Sequence, residues 1–500
     1  VTINGGSYGL YITKSENINI TKTTIVSSSD IGEIWNSSKI RLSNISSSNH
    51  YGGLKVYNTP HITIEYSDFR SCTWGNLALR NSSYSVIRFN YFQSSYPKGI
   101  SLAGTSNSLV INNTFYHGGI SVFPWSGILS INNTIENNTA SGKPILYLEE
   151  ASNYIIDGVS IAQVILVRCK NIMVKNLNIA DMEVGINLYL TNGSLIENNN
   201  VRSDWAIYLY RSNNNVIRNN YFRGWRAVQI SYSNHNQIVN NTVPSSGYGG
   251  AVVIGDRSAK NLVANNTLIN YYSYVVYIVG HDNNIPYKNI IRDNIIKSAN
   301  KGVFIENSIA SIIACNIIQS NYYSIYLKNA SDSIVANNMI QDNHYGIYIY
   351  DSTGNIIFFN DFIDNTYPTN TWTDNNWFSP FNLTYTYNGI DYYNRLGNYW
   401  SDYSGYDPDG DGIGNETYGD DIYPLIAPTR NYIIGDTDHD CLNDLLEYIS
   451  DTDPNNPDSD GDSLPDYWEF KYFLDPLNAG DSIYDSDNDE LTNIQEYTYG

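Results

Sequence analysis

A short phrase recurs along this chain at a nearly constant interval: two or three apolar residues, one or two asparagines, then another apolar residue. Asn294, Asn316, Asn338 and Asn360 are 22 residues apart, Asn176, Asn198 and Asn220 keep the same step, and Asn90 and Asn113 lie 23 apart. Examples are NVIRNNYF (215–222), NLVANNTL (261–268), SIIACNII (311–318) and SIVANNMI (333–340). Between them sit WAIYLY (205–210), YSIYLK (323–328) and YGIYIY (345–350), which alternate as strands do. Two or three short β segments per period of about 22 residues predict an all-β chain. Its first 360 residues would form a right-handed, single-stranded parallel β-helix of about 16 coils, each coil pairing with the coils above and below. At ~4.8 Å per coil such a rod is on the order of 75 Å long. The alternating Ile, Val and Leu face inward, and the asparagines suit tight turns whose stacked amides bond along the axis. A leucine-rich repeat is excluded because its LxxLxLxxN framework and helix are missing. Disorder is excluded by the periodic β-branched residues, which can bury a core.

Charge divides the chain unevenly. Of 50 acidic and 28 basic residues, 26 acidic and 2 basic lie in 401–500, leaving 24 acidic and 26 basic in 1–400, so the tail carries −24 and the body +2. A segment so acidic repels itself unless cations neutralise it. No basic stripe exists to meet phosphates, which argues against nucleic acid as a partner. Cys72, Cys169, Cys315 and Cys441 form no CxxC pair and read as isolated, mostly buried thiols. No apolar run reaches the ~18 residues of a membrane span. Val1 opens inside a strand-like phrase and Gly500 closes inside an acidic repeat, so the chain is expected to be part of a longer protein. Thirteen N-x-[ST] sequons, Asn19, Asn36 and Asn329 among them, favour a secreted glycoprotein.

The repeat phrases resemble the parallel β-helix repeats of the NosD-like and carbohydrate-binding/sugar-hydrolase superfamily, which includes pectate-lyase-like enzymes. The resemblance implies a pectin-lyase-like solenoid. GNYWSDYSGYDPDGDGIGNETYGDDIYPL (397–425) resembles the segment that closes many NosD-like surface proteins, with Asn415 where that family usually has Asp. Residues 361–430 are therefore expected to cap the helix, with Trp372, Trp377 and Trp400 over the last coil, because an open solenoid end exposes unpaired strand edges.

Beyond residue 430 three segments share one spacing. Asp436, Asp438, Asp440, Asp444 and Glu447 form the first, Asp458, Asp460, Asp462, Asp466 and Glu469 the second, and Asp485, Asp487, Asp489, Asn493 and Glu496 the third. Each places oxygen ligands at positions 1, 3, 5, 9 and 12 of a loop. With a backbone carbonyl at position 7 from Leu442, Leu464 or Leu491, this is the ligand pattern of an EF-hand-type calcium loop. Position 6, glycine in that pattern, is Cys441, Ser463 or Glu490. A fourth, less complete loop has Asp407, Asp409, Asp411, Ile413 and Asn415, with Gly412 at position 6 and Tyr418 at position 12. The intervening phrases are too short for paired EF-hand helices. They resemble thrombospondin type 3-like repeats, which implies that 431–500 is a loop-rich, calcium-ordered stalk.

For function the sequence leaves two classes open. Exposed tyrosines suit an extracellular surface protein that self-assembles with copies of itself or other envelope proteins; the alternative is a carbohydrate-binding or polysaccharide-degrading β-helix protein of the pectate-lyase-like class, whose rings stack on a polysaccharide or glycan. Asp181, Glu183 and Asp204 are carboxylates that adjacent coils would bring near one turn, with Arg202 and Arg223 nearby and His117 in the phrase YHGG, yet they reproduce no catalytic motif of pectate lyases or polygalacturonases. Seven scattered His and three Met form no soft-ligand copper cluster.

Overall fold

The computed structural model describes residues 1–26, 28–73, 75–371, 373–486 and 491–499. It is an all-β right-handed parallel β-helix of about 17 turns with few helices. Two compact units make up the chain, residues 1–234 with 241–253, and residues 235–240 with 254–500.

In the first unit a coil consists of three short strands such as Thr63–Glu65, Asp68–Cys72 and Leu77–Arg80, and the next coil repeats them as Val86–Arg88, Tyr91–Ser94 and Ile100–Ala103. The register is Thr63↔Val86, Asp68↔Tyr91 and Leu77↔Ile100. Alternation puts Ile87, Phe92 and Leu102 inside with no exposed surface, and Phe69, Phe92 and Phe115 stack along the axis at 5.3 and 5.2 Å. At residues 139–163 the strand pairing changes. The strand Lys143–Glu149 turns back antiparallel on Thr139–Ala140. Buried Gln163 then stands in for a strand, its Oε1 accepting from Ile120 N at 3.0 Å and its Nε2 donating to the carbonyls of Ile120 and Val184 at 2.8 and 2.7 Å.

The second unit holds the most regular coils. Ile290–Arg292, Ile312–Ala314, Ile334–Ala336 and Ile356–Phe358 form one column, and Ile295–Lys297, Ile317–Gln319, Met339–Gln341 and Asp361–Ile363 the next. At the corner between them the residue before the ladder asparagine, Asp293, Cys315, Asn337 or Phe359, takes a left-handed φ of 54 to 57°. The asparagine that follows is buried. Asn338 Oδ1 accepts from the backbone N and the Nδ2 of Asn316 at 3.0 and 2.9 Å, and its own Nδ2 donates to the carbonyls of Ile313 and Ala336. Asn294, Asn316, Asn338 and Asn360 repeat this bond in axial register, as the 22-residue spacing predicts.

Asn398 of the GNYWSDY segment takes the next rung, its Oδ1 accepting from Asn360 N and Nδ2. The ladder ends on the buried Asp421 carboxylate, which accepts from Asn398 N, Trp400 Nε1 and Tyr423 N at 2.8, 3.0 and 3.1 Å. Burial raises the Asp421 carboxyl to about 6 against the pull of these donors. A Cβ on Gly397 would stand 2.0 Å from Asp421 Oδ1, so only glycine fits there. Trp400 stacks on Phe362 of the last coil at 4.3 Å, and Trp377 lies against Trp400. Trp372 lies outside the described residues. The strands Leu383–Tyr387, Ile390–Asn394 and Tyr432–Ile434 form a small antiparallel sheet beside them.

The acidic tail departs from the expected loop-rich stalk in two ways. It contains three short helices, α1 (Asp444–Ser450), α2 (Asp466–Tyr472) and α3 (Asn493–Tyr499). Its beginning also lies along the flank of the second unit. Leu445 and Ile449 of α1 share a core with Ala314, Ala336, Phe358 and Leu383. The nearly buried Arg292 guanidinium stands 3.8 Å over the Phe470 ring of α2 and donates to the Phe470 carbonyl at 2.6 Å, at a helix C-terminus that favours cations. Small Ala314 and Ala336 leave room on that column, a detail the strand alternation does not signal. Of the four thiols Cys72 and Cys169 are buried, Cys315 is half-buried and Cys441 is exposed, and none is bridged.

Replacing Asn338 by Leu keeps volume but leaves the Asn316 donors and the carbonyls of Ile313 and Ala336 without this partner inside the rod. Denaturant unfolding of N338L should show a loss of about 1–3 kcal/mol.

Candidate metal centre

The loops that start at Asp436, Asp458 and Asp407 bend because the first aspartate gathers backbone N–H groups. In the first, Asp436 accepts from His439 N and Cys441 N at 2.8 and 3.0 Å. In the second, Asp458 accepts from Gly461 N and Ser463 N at 2.8 and 2.9 Å. The fifth position also matches, Asp440 accepting from Leu442 N and Asp462 from Leu464 N. At position 9 Asp444 and Asp466 receive bonds from Thr437 and Ser459, the residue at position 2 of each loop. Position 9 in such loops reaches the ion through water, so this engagement is compatible with a bound cation. Leu442 and Leu464 are fully buried, which pins the residue at position 7 of each loop.

Helices α1 and α2 begin at position 9 and carry Glu447 and Glu469 one turn later, where the charges of their own loop aspartates reach them. Both glutamates are completely buried, and neither oxygen of either carboxyl has a hydrogen-bond partner. Asp438 Oδ2, Asp460 Oδ2 and Asp462 Oδ2 are also buried and unpartnered. Burial first, and then the charges of Asp438 and Asp440, raise the Glu447 carboxyl to about 8. Burial followed by Asp481, Asp460 and Asp462 raises Glu469 to about 10, and burial followed by Asp462 raises Asp460 to about 6. Buried polar groups are as a rule satisfied, and a carboxylate left without a donor costs several kcal/mol. A hard cation supplies what is missing: it turns mutual repulsion into shared coordination. Each of these two loops could hold a metal ion, with its own glutamate, Glu447 or Glu469, as the deepest ligand.

The other two loops differ. Asp407 closes its turn on Gly410 N and Gly412 N, and Asp407, Asp409 and Asp411 converge, but Asn415 is bonded to Tyr406 N and Tyr418 stacks on Trp400 with its hydroxyl on Asp402. This loop brings no twelfth carboxylate to its ligands. In the third, Asn493 is buried and donates to the Asp481 carbonyl at 2.7 Å. Asp485, Leu491 and Glu496 are placed at the start of the loop and around α3, whereas Asp487, Asp489 and the position-6 Glu490 lie outside the described residues. Among the described residues one further carboxylate group was not legible from the loop spacing: Asp462, Glu469 and Asp481.

On the body of the first unit, Glu183 is largely covered, accepts from Ser121 Oγ at 2.8 Å and has Lys98 Nζ at 3.7 Å. Burial raises its carboxyl, as it does that of Asp204. Asp181 and Arg202 instead form an exposed pair, Arg223 lies over Tyr221 and His117 lies against Tyr116. The six groups thus do not form one constellation. A line of rings crosses adjacent coils of the same unit: Trp35 stacks on Tyr57 at 3.8 Å, and Arg80 lies over Tyr57 and Trp125 at 5.1 and 4.4 Å. The register Trp35↔Tyr57↔Arg80 sets this line, beside the Lys55 bridge to Asp30 and Glu33.

The molecule is thus a parallel β-helix protein with acidic loops that could hold a metal ion. A family model described as "Right handed beta helix region" matches residues 1–161 and 118–268, more than half of the 500 residues, and the chain belongs to that family. A second model, "Periplasmic copper-binding protein (NosD)", matches residues 282–405. No curated protein matches. Among solved structures the chain is similar to a double mutant of the periplasmic alginate epimerase AlgG (13% identity, 67% of this chain and 76% of that one, TM-score 0.35). It is also similar to the Azotobacter vinelandii mannuronan C-5 epimerase AlgE6 A-module (11%, 71% and 89%, 0.32) and to an alginate lyase from Paenibacillus sp. str. FPU-7 (12%, 60% and 91%, 0.31). Likenesses this distant bear on neither substrate nor reaction. No helix among the described residues is long and apolar enough to cross a membrane.

Position 6 provides a direct test of loop strain. Cys441 and Ser463 hold φ of 83° and 79°, where Gly412 of the fourth loop sits without penalty at 88°. C441G and S463G should each relieve about 1 kcal/mol of left-handed strain. Calorimetry of the intact chain with excess divalent cation should show the tail transition at higher temperature in both variants.

Proposed function

We propose that this is a calcium-binding, glycan-facing β-helix protein of the cell exterior. The observation that carries the metal half is the pair Glu447 and Glu469, four carboxylate oxygens buried without a partner inside loops of aspartates. Oxygen-only ligands exclude a preference for soft metals, and loops that deliver more than six oxygens from a flexible backbone favour calcium over magnesium. With strained residues at position 6, affinity is on the order of 10⁻⁴ to 10⁻³ M, suited to sites that fill outside cells. Calcium then fastens the thrombospondin type 3-like repeats against the flank of the rod.

Calorimetry of the whole protein should detect weak calcium sites, and Glu447→Gln and Glu469→Gln should each remove one. Chelation with EGTA should admit protease beyond residue 435 while the coils stay intact. Absence of binding at about 10 mM calcium, above the weak end of that range, would reject the reading.

The glycan half rests on the line Trp35, Tyr57, Arg80 and Trp125 with its ionic neighbours Lys55, Asp30 and Glu33. Flat rings stack on sugar faces while fixed charges bond hydroxyls. A rod that only packed against copies of itself, as in a surface layer or filament, would have to desolvate those charges, which interface cores avoid. W35A and W125A should each weaken retention on acidic and neutral polysaccharides in affinity electrophoresis by up to about tenfold. Unchanged migration of the parent protein with every polysaccharide would leave the assembly reading in its place.

A further inference from the structure

The loop spacing assigns the second site to residues 458–469, but one more carboxylate enters it from outside. Ligand oxygens of Asp462, Glu469 and Asp481 all lie within 4.8 Å of one another. Asp481 belongs to the turn between α2 and the third loop. Its Oδ2 accepts from Asp475 N at 3.1 Å, whereas its Oδ1 is buried without a partner, like both oxygens of Glu469. Asp481 retains 7% of its exposure and Glu469 none. Among the described residues Asp462 Oδ2, both oxygens of Glu469 and Asp481 Oδ1 are buried without a hydrogen-bond partner, so hydrogen bonding within the cluster does not account for their convergence.

Chain length shows how this came about. From Asp453 to the first ligand of the second loop, Asp458, is 5 residues; from Asp475, its counterpart one repeat later, to Asp485 is 10. The added residues form the turn that carries Asp481. That turn is tied forward as well: the Asp481 carbonyl accepts from Asn493 Nδ2, and Asn493 N and Ile494 N donate to Tyr484 O and Ser482 O, at the start of α3.

We propose that Asp481 is a ligand, supplied from outside the loop, to the calcium ion of the second loop, alongside Asp460, Asp462 and Glu469. The second site thereby spans two repeats. Its occupancy orders the turn 475–484 and, through Asn493 and Ile494, the start of α3, so the repeats fill and fold in sequence rather than independently. This inference rests on the calcium reading above.

The test uses the whole chain with calcium alone as the probe, read by calorimetry and by hydrogen exchange of residues 475–499. Asp481→Asn keeps an oxygen for Asp475 N but removes the charge. It should weaken one site at least about tenfold, leave the Glu447 site unchanged, and abolish the protection that calcium confers on 475–499. Asn478→Ala, which loosens the same turn without touching the carboxylate, should bind as the parent does. Equal weakening by Asn478→Ala would mean that turn integrity, not ligation, is at work, and would overturn the proposal. So would parent-like binding by Asp481→Asn while Glu469→Gln loses a site. No calcium binding by the parent chain would instead overturn the calcium reading itself, so the two failures are distinguishable.

Discussion

The bond on which the rest of the second unit depends is the one between stacked asparagine amides. Each coil must reverse direction at a corner where the backbone turns its N–H and C=O groups away from the strand ladders, and inside a rod no water reaches them. The side chain of Asn294, Asn316, Asn338 or Asn360 fills that need with its oxygen on the next amide and its nitrogen on two carbonyls. Only a residue with a donor and an acceptor at that reach serves, which is why the period is written in asparagine. The first unit follows the same rule with Asn90, Asn113 and Asn138, and with Ser37, Thr59 and Ser82 at another corner, where a hydroxyl takes the amide's place.

The ladder also explains the closing motif. A column of amides ends with unsatisfied donors, and Asp421 receives them while Trp400 covers the last apolar layer. A carboxylate accepts from several N–H groups and donates to none, so it stops a ladder that an amide would extend. Gly397, Asn398, Trp400 and Asp421 form one mechanical device, though they are separated by up to two dozen residues in the chain.

The acidic loops follow a different logic, in which polar satisfaction is deliberately incomplete. Aspartates at positions 1 and 5 take up backbone N–H groups and shape the loop, yet the glutamates that end it are buried with nothing to bond. The coils therefore satisfy their own polar groups, whereas the glutamates of the tail find no partner within the protein. Arg292 against α2 and Leu445 against Phe358 join these two regimes within one unit, and a change in the loops reaches the flank of the rod through them.

The sequence by itself determined the solenoid, because its period, its alternation and its asparagines are local and repeat often enough to be read without a fold. The repeated carboxylate spacing at Asp436–Glu447 and Asp458–Glu469 was legible too, since one short segment carries the whole pattern. Tertiary structure alone decided where long-range partners meet. The helices that carry Glu447 and Glu469 are only seven residues long, below what propensity reveals, and owe their stability to packing. That the tail lies on the flank follows from Ala314 and Ala336 being small and from Arg292 finding a helix end, and neither leaves a periodic trace. Gln163 replacing a strand and Asp481 joining a neighbouring loop are single residues acting across 43 and 12 positions, and such contacts are invisible until the backbone brings them together.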